Sequence, residues 1–371
     1  MKVTLIIYHM GCGGAERVMS ILANYWVSHG WTVTLIVLVD STDRSFYPLD
    51  PRVKLQFLGI AGNSNNLFTS IANTWRRFKI LRKEIIASEA DVSIGFMNAV
   101  NVYNILACWN LAIPTIVCEH TYPGSSDASW IWQALMKWFY RYADLVTVLT
   151  QSAVPFYDPA DGYQTIVMPN PVLPPPPAVV TEKLLPSHSL ISVGRLDDCK
   201  GYDLLLKAFH QIHDRYPDWQ LTILGEGELR PELEELRSQL GLTNCVHLPG
   251  NVSNVPDYLY QADLFVMSSK IEGFPMALCE AMVCGLPVVA TDCLSGPSDI
   301  IEHNVNGLLV RTEDINAIAI GLELLISDPI EREQLAKNAP NILDRFGLET
   351  VMKLWDNAIE RASKHRQDSR H

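Results

Sequence analysis

The chain has 371 residues, too many for one ordinary core and enough for two domains. With 48% apolar and 19% charged residues it can fill buried cores, which excludes a disordered chain. The net charge of -12 argues against nucleic acid as a partner, yet the excess is local: residues 1–170 hold 12 Lys+Arg against 12 Asp+Glu, and the remainder 17 against 29. No apolar run reaches the length of a membrane span, and the apolar stretch at the start is too short for a signal peptide, so a cytoplasmic protein is expected. The eight cysteines are scattered, with neither a Cys-x-x-Cys pair nor a partnered His spacing, as small core residues in a reducing compartment would be.

The first half alternates β-branched runs with amphipathic stretches: "VTLII", "GAERVMSILANYWVSHG", "TVTLIVLV", then "VSIGF", "TIVC" and "LVTVLT" between helical patterns. Strands alternating with helices predict a parallel sheet covered on both faces. Between the first strand and helix, "GCGGAE" only half matches Gly-x-Gly-x-x-Gly: Gly11 and Gly13 fit, but Glu16 stands at the third position. The second strand run does end in Asp40, where a ribose-binding acid would sit, so a dinucleotide site stays open beside a tight turn without a ligand. What the loop offers either way is free N–H groups at a helix start, at Gly13 and Gly14.

Further along, Leu67, Ile71, Trp75, Phe78, Leu81 and Ile85 share one helical face. Arg76, Lys79 and Lys83 lie opposite, with Arg77 and Arg82 on the flanks. Five cations within eight residues suit an anionic membrane surface or a lipid diphosphate, and suit equally a core-packed helix with a solvated basic face. The aromatic "WIWQALMKWFYRY" adds to the interfacial reading. "MPNPVLPPPPAVV" then stops all regular structure and marks the domain boundary. The expected division is 1–172, a Pro-rich linker 173–186, a second domain 187–345, and a C-terminal helix 346–371 packing toward the first domain.

The second half resumes the alternation with "LISVG", "WQLTILG", "ADLFVMSS", "LPVVAT" and "NGLLV", and reads as helix from Ile315 onward. Two such domains predict a cleft, with ligands beyond the carboxyl ends of the strands. In "KIEGFPMALCEAMVCGLPVVAT", Glu272 lies in the loop after a strand, Pro275 suits a first helical turn, and Glu280 sits inside the helix. That spacing can hold a sugar hydroxyl at one end, a diphosphate on the helix N-terminus and a ribose diol at the other, although two Glu so spaced are more often a solvated face. Arg195 and Lys200, in "VGRLDDCKGYD" after another strand, are cations for a leaving diphosphate. No Asp-x-Asp is present, so metal independence is expected.

On these residues the chain resembles the family-4, retaining, nucleotide-sugar-dependent glycosyltransferases. The Glu-x7-Glu pattern falls at Glu272 and Glu280, the Arg-x4-Lys pair at Arg195 and Lys200, and the glycine-rich loop at "GGAER", with "ILGEG", "LPGNV" and "GPSDII" as further echoes. The resemblance implies the GT-B fold, two Rossmann-like, doubly wound parallel-sheet α/β domains facing across a cleft. It implies that Glu272 meets donor-sugar hydroxyls as a stabiliser, Glu280 the ribose, and the N–H groups of Met276, Ala277 and Leu278, following Gly273, Phe274 and Pro275, the phosphates. Gly225, Asn251 and Val252 would line the base pocket, His120 in "VCEHTYP" would stand beside the donor sugar, and Gly13 and Gly14 would approach it.

The implied reaction moves an N-acetylhexosamine or hexose from a UDP-sugar to a polyprenyl-diphosphate-linked saccharide, without cofactor or metal, by a protein peripheral at the cytoplasmic face of the inner membrane. A nucleotide-sugar epimerase, an NAD(P)-dependent oxidoreductase and a non-catalytic nucleotide-sugar sensor remain as alternatives at this point.

Overall fold

The computed structural model describes residues 1–11, 13–40, 45–60, 67–123, 130–177 and 182–368, with backbone alone for 67–74 and 130–132. Cys12, the side chains of Leu67, Ile71 and Trp130, and residues 178–181 of the expected linker lie outside the described residues. The chain divides into two compact units: Met1–Pro171 with Val351–His371, and Val172–Thr350.

Unit 1 contains seven parallel strands in the order β3-β2-β1-β4-β5-β6-β7. They are β1 (Lys2–Ile7), β2 (Thr32–Val37), β3 (Lys54–Phe57), β4 (Val92–Phe96), β5 (Thr115–Cys118), β6 (Leu145–Val148) and β7 (Thr165–Val167). Between them run α1 (Gly14–Ser28), α2 (Leu67–Ala87), α3 (Asn98–Ala107) and α4 (Trp130–Tyr140). The central strands are buried along their whole length apart from the first residue of β1 and β2, as β-branched runs covered on both faces require.

Unit 2 has six parallel strands in the order β10-β9-β8-β11-β12-β13. They are β8 (Ser189–Val193), β9 (Gln220–Leu224), β10 (Val246–Gly250), β11 (Leu264–Met267), β12 (Val288–Asp292) and β13 (Leu308–Arg311). The helices are α5 (Tyr202–His213), α6 (Arg230–Gln239), α7 (Val255–Leu259), α8 (Met276–Val283), α9 (Pro297–Ile300), α10 (Ile315–Ser327), α11 (Pro329–Asn338) and α12 (Ile342–Phe346). Leu190, Leu221, Ile223, Leu264 and Val266 form the floor of its core under Phe209, Leu322 and Leu325.

The last helix, α13 (Leu348–Asp368), returns to unit 1 from Val351 onward. There Trp355 packs edge-on against Trp26 at 5.8 Å, and Arg366 donates to Cys108 O at 2.9 Å.

Three strands escape the pattern: β3 "KLQF", β7 "TIV" and β10 "VHLPG", short or polar segments that earn their conformation from the neighbouring strand. The helical tail is broken where Asp328 caps α11, its Oδ1 accepting from the N–H groups of Ile330 and Glu331 at 3.0 Å. Helix α2 corrects its expected faces. Leu81 and Ile85 are buried, but Trp75 is 60% exposed. Arg77 and Arg82, counted among the membrane-facing cations, turn inward instead: Arg77 Nε donates to Ile60 O at 2.7 Å, and one Arg82 Nη donates to both Ala107 O and Trp109 O at 2.7 Å. Arg76, Lys79 and Lys83 remain exposed.

Candidate functional site

In unit 2 the chain runs outward from β8 through β9 to β10, then crosses back and runs the other way through β11, β12 and β13. The loops leaving β8 and β11 therefore flank the point where strand order reverses, where ligands of open α/β sheets sit. The first loop carries Arg195 and Lys200, the second carries Glu272 and leads into α8, so these three expected site residues arise from one topological feature.

Lys200 Nζ donates to Glu272 Oε1 at 2.6 Å, and Ser269 Oγ donates to the same oxygen at 2.7 Å. The two charged side chains are 24% and 10% exposed, which shields the pair from salt better than a surface pair. The loops are tied together beneath it. Ser268 Oγ donates to Lys200 O at 2.9 Å, and Thr291 Oγ1 donates to Ser269 O at 2.6 Å. Lys200 retains two further N–H donors, and Glu272 retains its second oxygen's acceptor capacity. Arg195 stands more openly, 76% exposed, with its Nε on Asp197 Oδ2 at 2.6 Å.

Gly225 draws the next loop in. Its φ of 140° is one that a side chain resists, a Cβ there would collide with Gly194 O, and its N–H donates to Gly250 O at 2.9 Å. Val252 follows, half-buried, after β10.

Helix α8 begins at Met276 after an N-cap Pro275 that supplies no side-chain hydrogen bond. The first helical bond is Cys279 N to Pro275 O at 3.2 Å, so the N–H groups of Met276, Ala277 and Leu278 have no helical acceptor. They point positive charge beyond the helix end. Glu280 lies half-buried one turn further along. Phe274 is a packing residue: 6% exposed, it meets the Phe346 ring edge-on at 5.4 Å, while Ser295 Oγ donates to Gly273 O at 3.2 Å. Together they fix the entry of the chain into α8.

In unit 1 the reversal falls between β1 and β4. The glycine-rich loop leaves β1, but it is filled by its own carboxylate. Glu16 is buried, its Oε1 lies 2.9 Å from His9 Nδ1, and a Cβ on Gly13 would collide with its Oε2. The start of α1 thus already holds a negative group, which disfavours a phosphate at Gly13 and removes the basis for a dinucleotide reading of the loop. Around Gly14 a Cβ would meet open space. At the end of β4, Met97 carries a φ of 72°, a strained value for a side-chain-bearing residue.

His120 leaves β5 half-buried and stacks on Phe96 at 4.4 Å. Its Nδ1 is buried without a hydrogen-bond partner among the described residues, and burial pushes its pKa well below the ordinary imidazole value. Beside it, Glu119 is 4% exposed; its Oε1 accepts from Tyr140 Oη, with Asn101 Nδ2 at 3.3 Å. Burial raises its carboxyl to about 7 against those hydrogen bonds. Neither Glu119 nor Ser269 stands out in the sequence. The only signal for Ser269 is the pair of hydroxyl residues closing the apolar strand "ADLFVMSS". Among the described residues no three His, Cys, Asp or Glu side chains gather to hold a metal.

Residues 12–172 match the family model described as Glycosyltransferase Family 4, and residues 182–342 that of Glycosyl transferases group 1. An uncharacterized glycosyltransferase of Haemophilus influenzae is 28% identical over 96% of this chain and 99% of its own length. The Campylobacter jejuni alpha-1,4-N-acetyl-D-galactosaminyltransferase named for GalNAc-alpha-(1->4)-GalNAc-alpha-(1->3)-diNAcBac-PP-undecaprenol is 29% identical over 96% of this chain and 97% of its own. Among solved structures, Anabaena HepE in complex with UDP and glucose matches with a TM-score of 0.80 at 20% identity, covering 97% of this chain and 99% of that one. With two parallel-sheet α/β domains and both halves matched in order, the chain belongs to the family-4 glycosyltransferases and is an enzyme of the GT-B fold.

Proposed function

We propose that this enzyme transfers an N-acetylhexosamine or hexose, with retention and without a metal, from a UDP-sugar to a polyprenyl-diphosphate-linked saccharide at the cytoplasmic face of the inner membrane. The observation that carries the reading is the Lys200–Glu272 pair at the strand-order reversal, beside the uncapped start of α8. In the transfer, the bond from the anomeric carbon to the β-phosphate oxygen breaks and a bond to an acceptor hydroxyl oxygen forms. The acceptor proton passes to the departing phosphate, and UDP leaves. The growing phosphate charge meets Lys200, Arg195 and the N–H groups of Met276 to Leu278, fixed positive groups that supply what a cation would otherwise supply. Glu272 accepts from a sugar hydroxyl and steadies the positive charge at the anomeric carbon. The two hydrogen bonds already on its Oε1 support a stabiliser in place of a nucleophile. Glu280 takes the ribose hydroxyls, Gly225 and Val252 border the base, and neutral His120 offers an acceptor nitrogen to the sugar.

UDP is favoured as the nucleotide because HepE, of the same fold, was solved with UDP. The lipid-linked acceptor is favoured because relatives matching nearly the whole chain carry undecaprenol-linked saccharides in their names. No helix among the described residues is long and apolar enough to cross a membrane. The test is a panel of UDP-, GDP- and ADP-sugars, scored for nucleotide release with and without a polyprenyl-diphosphate saccharide. UDP release that requires the lipid acceptor, persists in chelator and yields an α-linked product from an α-linked donor is expected. An absolute Mg²⁺ or Mn²⁺ requirement would sink the metal-free mechanism, and a free isomerised sugar would show an epimerase instead.

A further inference from the structure

The side of unit 1 formed by α2, the turn after α3 and α4 exposes an unusual amount of aromatic surface. Trp75, Phe78, Leu106, Trp109, Trp138 and Phe139 border a cavity of about 730 Å³. Trp75 is 60% exposed, Trp138 49% and Trp109 43%. The rim is continuous: the Tyr142 ring lies 5.1 Å from both Trp109 and Trp138, and Phe78 lies edge-on to Trp75 at 5.6 Å. Arg82 holds the floor, since its two bonds to Ala107 O and Trp109 O fix the turn that presents Trp109.

The charges around this rim have one sign. Arg76, Lys79 and Lys83 on α2 are exposed, and Glu84 is the only acidic residue in the sequence of α2, α3 and α4; Lys137 and Arg141, at the end of α4, stand instead over the Phe156 and Tyr163 rings, which are no part of this rim. On a chain of net charge -12 this is a local reversal. Indole and phenol rings ringed by Lys and Arg favour the boundary between hydrocarbon and anionic headgroups, where the ring leaves water and the cation meets phosphate.

We infer that this aromatic rim is the membrane-seating surface of the enzyme, with Trp75, Trp109 and Trp138 entering the acyl boundary of an anionic phospholipid bilayer while Arg76, Lys79 and Lys83 contact its headgroups. The inference rests on the lipid-linked acceptor of the proposed function, and it assigns the seating to apolar insertion more than to charge. Seating the rim brings unit 1 to the bilayer that carries the acceptor.

The test compares the full chain with Trp75→Ala/Trp138→Ala on vesicles of phosphatidylglycerol and phosphatidylethanolamine, with phosphatidylcholine vesicles as the uncharged control. Flotation measures binding, and quenching of tryptophan emission by lipids brominated in the acyl chain measures insertion. Because both side chains are exposed, the double variant should fold and bind UDP as the parent does. Wild type is expected to float with the anionic vesicles, to be quenched, and to stay partly bound in high salt. The variant should lose about tenfold in partition and most of the quenching. Equal binding by both proteins, binding that salt abolishes without quenching, or a Trp138-dependent dimer that ignores vesicles would each overturn the inference. If UDP itself does not bind to wild type, the glycosyltransferase site has failed, whatever the vesicles show.

Discussion

The two parallel sheets reverse strand order in the same way, yet their reversal points are furnished differently. In unit 2 the residues there are charged, half-open and cross-tied: Lys200 and Ser269 converge on Glu272, and the N–H groups at the start of α8 are left over. In unit 1 the corresponding end is closed in on itself. Glu16 occupies the helix start, Glu119 is buried among Tyr140 and Asn101, and His120 lies flat on Phe96. Similar topology therefore does not give similar chemistry. Both reversal points open an uncapped helix, α8 in unit 2 and α3 in unit 1, but unit 2 sets Lys200 and Arg195 beside its helix start where unit 1 sets the buried carboxylates Glu16 and Glu119.

The largest effect that would break this contrast lies at the pair itself. Glu272→Ala should lower turnover about 10²- to 10³-fold while leaving UDP affinity near the parent's, because UDP carries no sugar for Glu272 to hold. Lys200→Ala should weaken both, as measured by calorimetry with UDP and by steady-state rates. Equal UDP affinity in both variants would mean that the phosphates lie elsewhere.

Next in size comes the pH dependence of unit 1. Glu119 is raised from 4.5 to about 7, so the native state holds its proton more tightly than the unfolded chain. Its stabilisation is full below about 4.5 and is lost as pH rises to about 7. His120 acts in the opposite sense: its lowered pKa gives stability that is full above the ordinary value of 6.5 and is lost as pH falls. Glu119→Gln should remove the first slope, on the order of 3 kcal/mol across that window, so that the variant melts higher than the parent at pH 8 and keeps below pH 6.5 the slope to which His120, and His247 in the same sense, contribute. Melting curves between pH 4 and 8 decide, and an unchanged profile would place Glu119 among ordinary carboxylates.

Smaller differences separate neighbouring positions. Gly13→Ala forces Glu16 off its place and should cost about 1–3 kcal/mol, whereas Gly14→Ala, entering open space, should be neutral or stabilise by up to about 1 kcal/mol. Chemical denaturation of both variants checks this. Lost turnover in Gly14→Ala without lost stability would show that the loop meets the sugar at that residue. Smallest is the split along α2: Arg82→Ala should cost about 1 kcal/mol by stranding the carbonyls of Ala107 and Trp109, and Lys83→Ala should change stability by less than about 0.5 kcal/mol.

Much of unit 2's site is legible in the sequence because its parts follow strands of strong pattern, and each residue type names its partner: a cation for phosphate, a carboxylate for a hydroxyl. Reading "LISVG" and "ADLFVMSS" as strands puts Lys200 and Glu272 in the loops that follow them, while the roles expected of these two and of Met276 to Leu278 come from the resemblance to the family. What escapes is what tertiary contacts decide. A helical wheel places Trp75 with Leu81 and Ile85, because it cannot know that the protein covers only the later turns of α2. Arg77 and Arg82 count as surface charge until the carbonyls of Ile60, Ala107 and Trp109 come within reach. Glu119 looks like any acid before a histidine, since its burial depends on Asn101 from α3 and Tyr140 from α4.

The return of α13 to unit 1 bears on how the chain is made. Trp355 and Trp26 share one contact, and Asp144, which accepts from Thr115 N at 2.8 Å, also has His365 Nδ1 at 3.3 Å. Unit 2 is one unbroken stretch, Val172–Thr350, and has all its residues as soon as that stretch clears the ribosome. Unit 1 begins first and closes last. All its strands are made before the other unit, but the places of Trp355 and His365 stay empty until the whole of that unit has been synthesised.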